Sequence, residues 1–335
     1  MAGLTFSKSS NINNSIFGKS QEPILFNIEK KAEAWEEKSQ IKNVYMVENS
    51  KNFAEKITSL TSMDEFLPVG EGGAYPKADM QEGYSKVIEP ETWKSEFVIT
   101  REMIEDSKLL DLKHKPVAFT DSYYRTRERF GARMLAGAVS GKDVTLNGKA
   151  YSVSGADGLS FFHHAHPSKI TGETQSNRFS NTFSKSNLGR IVEKMSLFKD
   201  DNGNILNIAP DTIIIPYNAE LIDTVFSVIG SDRTPDSSDN NFNYHFGMWN
   251  VIIWPYLNQF MKLGSDNMPF IILDSAYNQQ NGGAVWIDRV PLEVRSAIDD
   301  NNDNNIWKGY ARFMCGFNDW RAMAVGGING AEELS

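Results

Sequence analysis

The segment from residue 67 to residue 98 constrains the fold more than any other part of this chain. It opens on a glycine-rich stretch (VGEGGAYP) and continues with two extended runs, Tyr84 to Glu89 and Trp93 to Val98, whose side chains alternate in polarity. This pattern predicts a two-stranded excursion. The segment has too few apolar residues for a core of its own, and an isolated hairpin is marginally stable in water. We therefore expect it to lie on another surface, and a neighbouring copy is favoured over the same chain.

A long helix is predicted after this excursion. From Pro116 to Gly141, apolar side chains recur at helical spacing, and arginines recur at every fourth position on another face. The arginines are Arg125, Arg129 and Arg133. Two interpretations of the row stay open: a solvated helix face, or contacts to acidic residues of the excursion on a neighbouring copy.

The rest of the chain predicts a mixture of helices and strands. Helices are predicted over 23–38, over 50–60, where Phe53, Ile57 and Leu60 have helical spacing, and from Ser184 onward. A hairpin is predicted at Asn147-Gly148. Buried strands are predicted in TIII, NVII and FIIL, and alternating strands in VWIDRVPLEVRS and WKGYARFMCGF, separated by DDNNDNN. The order predicts an α+β fold.

Charge and composition exclude several classes of protein. A net charge of -9 argues against a surface that grips nucleic acid through many phosphate contacts. The single cysteine, Cys315, excludes an internal disulfide framework and is expected to be a buried, inert thiol. No apolar run is long enough to span a bilayer, and the first residues lack the pattern of a signal peptide. We expect a soluble protein made in a reducing cytoplasm.

One cluster of chemically active side chains is present, at His163, His164 and His166. Closely spaced imidazoles can ligate zinc, and Asp157 could add an oxygen ligand. No HExxH, CxxC, phosphate-binding loop or GxSxG motif accompanies them, so a structural turn is favoured over a metal-dependent hydrolase. No catalytic, cofactor-binding or metal-binding residue is assigned, and no cofactor is expected.

Several segments, taken in order, resemble the major capsid proteins of tailed bacteriophages with the Hong Kong 97-type fold. The resemblance is strongest to the branch related to the Mu-type head subunit. The segments that carry it are PILFNIEKKAEAWEEKS, TSMDEFLPVGEGGAYP, FVITREMIED, the long helix over 116–140, DGLSFFHHAHPS, APDTIIIPYNAELIDTVFSVI and GYARFMCGFNDWRAMAVGGI.

The resemblance implies a division of the chain into five parts. These are an N-terminal arm over 1–66, an E-loop over 67–100, a peripheral domain with the spine helix over 101–185, an axial domain over 186–283, and returning strands of the peripheral domain with the C-terminus over 284–335. Gly70, Gly72 and Gly73 are expected to be hinges at the base of the E-loop.

The resemblance also implies a function without catalysis. The chain would assemble as hexamers and pentamers into an icosahedral, non-crosslinked shell, a virion capsid that holds double-stranded DNA without specific binding. Assembly in the host bacterial cytoplasm with a separate scaffolding protein and a portal is expected, and a decoration protein is a further candidate partner. An encapsulin-like nanocompartment with the same fold is the nearest alternative. Inter-subunit contacts are expected at Glu71, Tyr75, Lys77, Glu82, Lys86, Trp93, Arg125, Arg129 and Arg133.

Overall fold

The computed structural model describes residues 5–6, 18–60, 63, 66–77, 82–106, 109–230, 243–264, 268–299 and 301–329. Its helices are α1 (Gly18–Lys38), α2 (Ile41–Val44), α3 (Arg101–Glu105), α4 (Leu109–Ser140), α5 (Lys185–Ser196), α6 (Ala219–Ile229) and α7 (Ser275–Asn281). Its strands are β1 (Thr5–Phe6), β2 (Met46–Asn49), β3 (Glu55–Leu60), β4 (Glu82–Ile88), β5 (Glu91–Ile99), β6 (Val144–Leu146), β7 (Lys149–Tyr151), β8 (His166–Pro167), β9 (Thr174–Gln175), β10 (Thr212–Ile215), β11 (Asn250–Ile253), β12 (Phe270–Leu273), β13 (Ala284–Asp299), β14 (Asn304–Phe317) and β15 (Met323–Gly326).

The largest sheet is built on one long antiparallel hairpin, β13 and β14, as the alternating pattern predicted. β5 pairs with the free edge of β14, and β1 and β2 pair in parallel with β13. Alternate residues of β14, among them Trp307, Phe313 and Cys315, are buried because they face a helix. The hairpin therefore pairs with strands that precede their pairing partners by 200 residues or more in the sequence.

The long helix α4 covers the buried face of this sheet. Phe130 contacts the rings of Trp93, Trp286 and Phe313 there. The helix begins at Leu109 and not at Pro116, so the predicted start was wrong. A proline inside a helix costs on the order of 3 kcal/mol, and burial of Pro116 against the core helps to offset that cost. At 32 residues the helix is about 48 Å long.

A predicted N-terminal helix is confirmed as α1, which packs along α4. Ile24, Ile28 and Ala32 are buried on its inner face. Trp35 stacks on Tyr124 of α4, with ring centroids 6.1 Å apart.

A second sheet has the order β11-β10-β12-β15. All four residues of β10 and all four of β12 are buried, as their continuous apolar runs predicted. Helices α5 and α6 are capped by the residues that precede them, Ser184 and Asn218. The side chains of these residues accept hydrogen bonds from the backbone N–H groups of Asn187 and Leu221. The predicted hairpin at Asn147-Gly148 is confirmed as β6–β7, with a positive φ at both turn residues.

The predicted pairing within residues 67–98 is wrong. β4 pairs with β3, in the segment predicted to be a helix, and β5 belongs to the large sheet. Glu89 and Pro90 join β4 to β5, and proline cannot adopt the positive φ that a primed two-residue hairpin turn requires. The projection from the body therefore consists of β3, β4 and their connection; we call residues 55–88 the projecting arm.

Candidate inter-subunit surfaces

The far end of the projecting arm carries apolar side chains in solvent. Its described part, residues 66–77, is exposed throughout, and we call it the tip segment. Phe66 is fully exposed and Tyr75 is 97% exposed, with Leu67 and Val69 also exposed. A cluster of exposed apolar residues on an extension with no core is typical of a surface that a partner covers.

The predicted hinge glycines lie in this tip segment and not at the base of the arm. The backbone N–H of Gly73 donates to the carbonyl of Gly70 at 2.9 Å, and Gly72 between them has a φ of +79°. This closes a tight turn that places the exposed side chain of Glu71 at its corner.

A cleft beside α4 contains the three predicted arginines. Arg125, Arg129 and Arg133 lie along one wall, and the remaining lining residues are Trp93, Ser122, Thr126, Phe130, Leu146, Asn147 and Phe260. We call this cavity of about 300 Å³ the arginine cleft. Its walls combine cationic and aromatic side chains, and none of the described residues that line it is acidic.

The arginines of the cleft differ in how they are held. Arg133 donates from Nη2 to the carbonyl of Thr145 at 2.7 Å, and its guanidinium lies 5.4 Å from the ring centroid of Phe260. Arg125 and Arg129 are exposed, and no ion pair to either occurs among the described residues. Two of the three guanidinium groups can therefore accept an incoming carboxylate without breaking a salt bridge.

Trp93 forms the floor of the arginine cleft. Its indole stacks on Phe313 with ring centroids 4.8 Å apart, and Nε1 donates to the carbonyl of Phe313 at 3.1 Å. It is partly exposed, and it lines the cleft. A contact between this face and a second copy stays a prediction.

Glu82 and Lys86 both lie on β4, Glu82 at the end of the strand nearer the tip segment and Lys86 four residues further along. The Glu82 side chain is exposed. Lys86 is half-buried, and its Nζ donates to Ser154 Oγ at 2.7 Å. Burial lowers the pKa of Lys86, an effect that the nearby carboxylates of Asp143 and Asp157 oppose. Lys77 is exposed in the tip segment, and all three residues stay predictions as inter-subunit contacts.

Of the three clustered histidines, His166 belongs to the core, whereas His163 is partly exposed and His164 is exposed. His166 is fully buried and stacked on Trp320, with ring centroids 4.4 Å apart. Its Nδ1 lies 2.5 Å from Asp157 Oδ2 and its Nε2 lies 3.1 Å from Asn177 Oδ1, so protein groups occupy both ring nitrogens. Among the described residues, no three His, Cys, Asp or Glu side chains are grouped as metal ligands.

Cys315 is fully buried on the inner face of β14. Burial raises the pKa of its thiol far above the ordinary value. An uncharged thiol without solvent access is a poor nucleophile, as the sequence interpretation held.

Sequence reasoning missed two parts of these surfaces. Phe260 and Leu146 wall the arginine cleft, but they lie over a hundred residues apart, and no local pattern joins them to the arginine row. The exposed pair Phe66-Leu67 had a signal, because it is an apolar pair next to a glycine-rich turn where no core is available. Within the described residues, no helix is long and apolar enough to cross a membrane.

The chain is similar in sequence to one protein family and in structure to several solved proteins. A family model described as phage capsid protein matches residues 83–326, well over half of the chain. The capsid structure of the cyanophage P-SCSP1u matches with a TM-score of 0.50 at 9% identity, over 86% of this chain and 87% of that chain. No curated protein sequence matches the chain.

Two further solved structures are similar to the chain. A chain of Mycobacterium phage Adephagia has a TM-score of 0.49 at 13% identity, over 88% of this chain and 91% of its own. The bacteriophage JBD30 capsid has a TM-score of 0.48 at 15% identity, over 66% of this chain and 91% of its own. The family match disfavours the encapsulin-like alternative. The chain belongs to the phage capsid protein family, and it is a major capsid shell protein with the Hong Kong 97-type fold.

Proposed function

We propose that copies of this chain assemble as hexamers and pentamers into a closed icosahedral shell around double-stranded DNA. In each contact between neighbours, the tip segment of one copy enters the arginine cleft of the next. The observation that supports this contact most directly is the match in chemistry between two surfaces that a single copy leaves open.

The apolar parts of the two surfaces are complementary. Phe66 and Tyr75 of the tip segment are almost fully exposed, while the cleft offers the rings of Trp93 and Phe260. Aromatic side chains that leave water at an interface gain about 25 cal/mol for each Å² of apolar surface buried, from which the entropy cost of association is subtracted. A single copy cannot gain this free energy within its own tip segment.

One charge of the tip segment also matches the cleft. Glu71 is exposed at the corner of the turn, and it is the one acidic residue of the tip segment, which also carries Lys77. The cleft presents Arg125 and Arg129 without salt-bridge partners among the described residues. Opposite charges across an interface select the partner and fix its register more than they add affinity.

In the proposed shell, the tip segment is the part of the arm that reaches a neighbour. Its residues are exposed throughout, whereas the β3–β4 ribbon, about 20 Å long at 3.3 Å per residue, joins it to the subunit body. The flexible stems of the arginines allow the same carboxylate contact at slightly different subunit angles. One chain must tolerate such differences if it occupies both fivefold and sixfold positions.

Further parts of the proposal concern partners and location. A separate scaffolding protein and a portal would assist assembly in the host bacterial cytoplasm, and a decoration protein would bind the finished virion. With a net charge of -9, the wall would confine DNA by shape and not by many phosphate contacts. The function needs no catalytic step, and we assign no catalytic residue, metal or cofactor. The five-part division of the chain and the relationship to the Mu-type branch belong to the same proposal.

A charge-reversal experiment tests the contact. The variant Glu71→Lys and the double variant Arg125→Glu with Arg129→Glu should each reduce the yield of closed shells at least tenfold, because like charges then oppose each other. Combining all three changes should restore closed shells. Yield is measured by sedimentation and negative-stain microscopy after expression with the scaffolding protein.

The matched control is Arg190→Glu, which reverses an exposed arginine on α5 outside the arginine cleft. It should assemble as the unmodified chain does. Normal shells from both reversed variants would exclude this contact. The absence of shells from the unmodified chain across a range of salt and pH would refute the assembly proposal itself.

A further inference from the structure

We propose that a polar seat on the subunit body, built around Lys169 and Asp201, sets the direction in which the projecting arm leaves the subunit. Lys169 and Asp201 are then positioning residues for the contact between neighbours. This inference rests on the proposed function, because a direction matters only if the tip segment must reach a second copy.

The first observation is a clamp on the backbone of β4. Lys169 Nζ donates to the carbonyl of Glu82 at 3.0 Å and to the carbonyl of Gly83 at 2.8 Å. The same ammonium lies 5.8 Å from the ring centroid of Tyr84. One side chain of the body thus holds three consecutive residues at the end of the ribbon nearest the tip.

The second observation is that the seat itself is rigid. Asp201 is buried, and its Oδ1 accepts from the backbone N–H of Lys169 at 3.3 Å and from Arg321 Nη2 at 3.1 Å. Ser168, also buried, donates from Oγ to the carbonyl of Asp201 at 3.0 Å. A buried carboxylate that is paired and hydrogen-bonded in this way keeps the loop under Lys169 in one position.

The third observation is the closeness of the arm to the seat. Gly83 is buried, and a Cβ atom at this position would lie 3.0 Å from Asp201 Oδ2 and would overlap Ser59 Oγ. Ser59 stands in the irregular part of the β3–β4 pairing, and its Oγ donates to the carbonyl of Tyr84 at 3.0 Å. Only glycine lets the strand approach the carboxylate this closely.

Two further anchors lie on the same strand nearer the body. Lys86 reaches Ser154, and Ile88 packs against Gly316, Val285 and Ile287. From Ile88 to Gly83 the strand spans about 17 Å. Contacts to the body are therefore spread along the whole of β4, and the first described residues beyond the seat are those of the exposed tip segment.

These contacts assign separate roles to the parts of the arm. The root, from Gly83 to Ile88, is aligned by the body, whereas the tip segment supplies the surface that contacts the neighbour. Losing the seat would leave the tip chemistry intact but would widen the range of directions that the tip samples. More conformational entropy would then be lost when the tip segment binds a neighbouring subunit.

The test begins with the unassembled subunit, so that it does not depend on shell formation. In Lys169→Met, hydrogen exchange of backbone amides in residues 82–88 should accelerate about fivefold to tenfold, since charge-assisted hydrogen bonds to two carbonyls are lost. Lys169→Arg keeps the charge and the donors and should restore slow exchange. Gly83→Ala should accelerate exchange further, with circular dichroism used to check that the body stays folded.

The matched control is Lys42→Met, because Lys42 is an exposed lysine that also donates to a backbone carbonyl, that of Glu36, away from the arm. Exchange in 82–88 should be unchanged in this variant. In assembly, Lys169→Met should lower the yield of closed shells at least threefold, and Lys169→Arg should recover it.

The outcomes separate this inference from the proposed function. Equal hydrogen exchange of residues 82–88 in Lys169→Met and Lys42→Met would show that Lys169 does not hold the arm. Faster exchange with normal shells would overturn the positioning role and leave the proposed contact intact. If the unmodified chain forms no shells, the proposed function fails, while the exchange comparison still decides whether the seat holds the arm.

Discussion

Arg127 and Asp288 form a buried ion pair between α4 and β13. The guanidinium donates to both carboxylate oxygens, each at 2.8 Å, and Asp288 also accepts from Trp286 Nε1 at 3.0 Å. The guanidinium lies 5.0 Å from the ring centroid of Trp286 and 5.2 Å from that of Phe313. This bidentate and stacked geometry fits arginine and not lysine, so neither partner tolerates replacement alone.

Removing one partner of this pair should be costly. We expect Asp288→Ala to lower the free energy of unfolding by about 3–5 kcal/mol, because it leaves a buried guanidinium unpaired. The double variant Asp288→Leu with Arg127→Met should lose much less, since it leaves no buried charge. Denaturant titration of the unassembled subunit at neutral pH measures both. A loss under about 1 kcal/mol for Asp288→Ala would show that water reaches the guanidinium.

At the scale of elements, Glu128 joins α4 to two other parts of the chain. Its Oε1 accepts from Ser39 Oγ at 2.5 Å and from the backbone N–H of Gln40 at 3.1 Å, between α1 and α2. Its Oε2 accepts from Trp254 Nε1 at 2.9 Å, at the end of β11. Burial raises the pKa of Glu128, and these hydrogen bonds oppose the rise.

This raised pKa gives the junction a definite pH dependence. The folded state binds the Glu128 proton more tightly than the unfolded chain, whose pKa is near 4.5. Its contribution to stability is therefore complete below pH 4.5 and declines as pH rises through the folded pKa. Relative to Glu128→Gln, the unmodified subunit should lose stability as the pH rises from 4.5 through the raised pKa of the folded state. Unfolding curves across that range measure the difference, and a constant difference would contradict the assignment.

The elements differ in how far the sequence predicts them. Continuous apolar runs such as Ile213–Ile215 identify buried strands, because a strand that is buried on both faces needs an apolar side chain at every position. The helical spacing of Phe53, Ile57 and Leu60 was misleading, since Glu55–Leu60 is held as a strand by pairing with β4. Cleft walls such as Phe260 stay hidden for a related reason: they depend on tertiary contacts that no local periodicity records.

At the scale of the whole molecule, folding and assembly use different surfaces. The body holds the aromatic cluster between α4 and the large sheet, whereas the tip segment is exposed throughout. Exposed residues without special features contribute little to the stability of the folded subunit. Selection on the tip segment would then act through assembly.

A deletion separates these two surfaces. Replacing residues 66–77 by two glycines should change the free energy of unfolding of the subunit by no more than about 1 kcal/mol, because the tip segment is exposed and loop length has a small effect. The same variant should form no closed shells. Calorimetry of the unassembled subunit and electron microscopy of assembly reactions give the two results. A large loss of stability would mean that the tip segment packs on its own subunit.

The way the large sheet is assembled has a consequence for synthesis on the ribosome. β2 and β5 pair with β13 and β14, whose residues are translated about 200 positions later. At typical bacterial elongation rates this delay is on the order of 10–40 s. During that time the nascent chain lacks β13 and β14, so it has no folded body that a neighbour's arm could bind. Polysome-bound chains should therefore stay out of growing lattices, and recruitment should begin only after release.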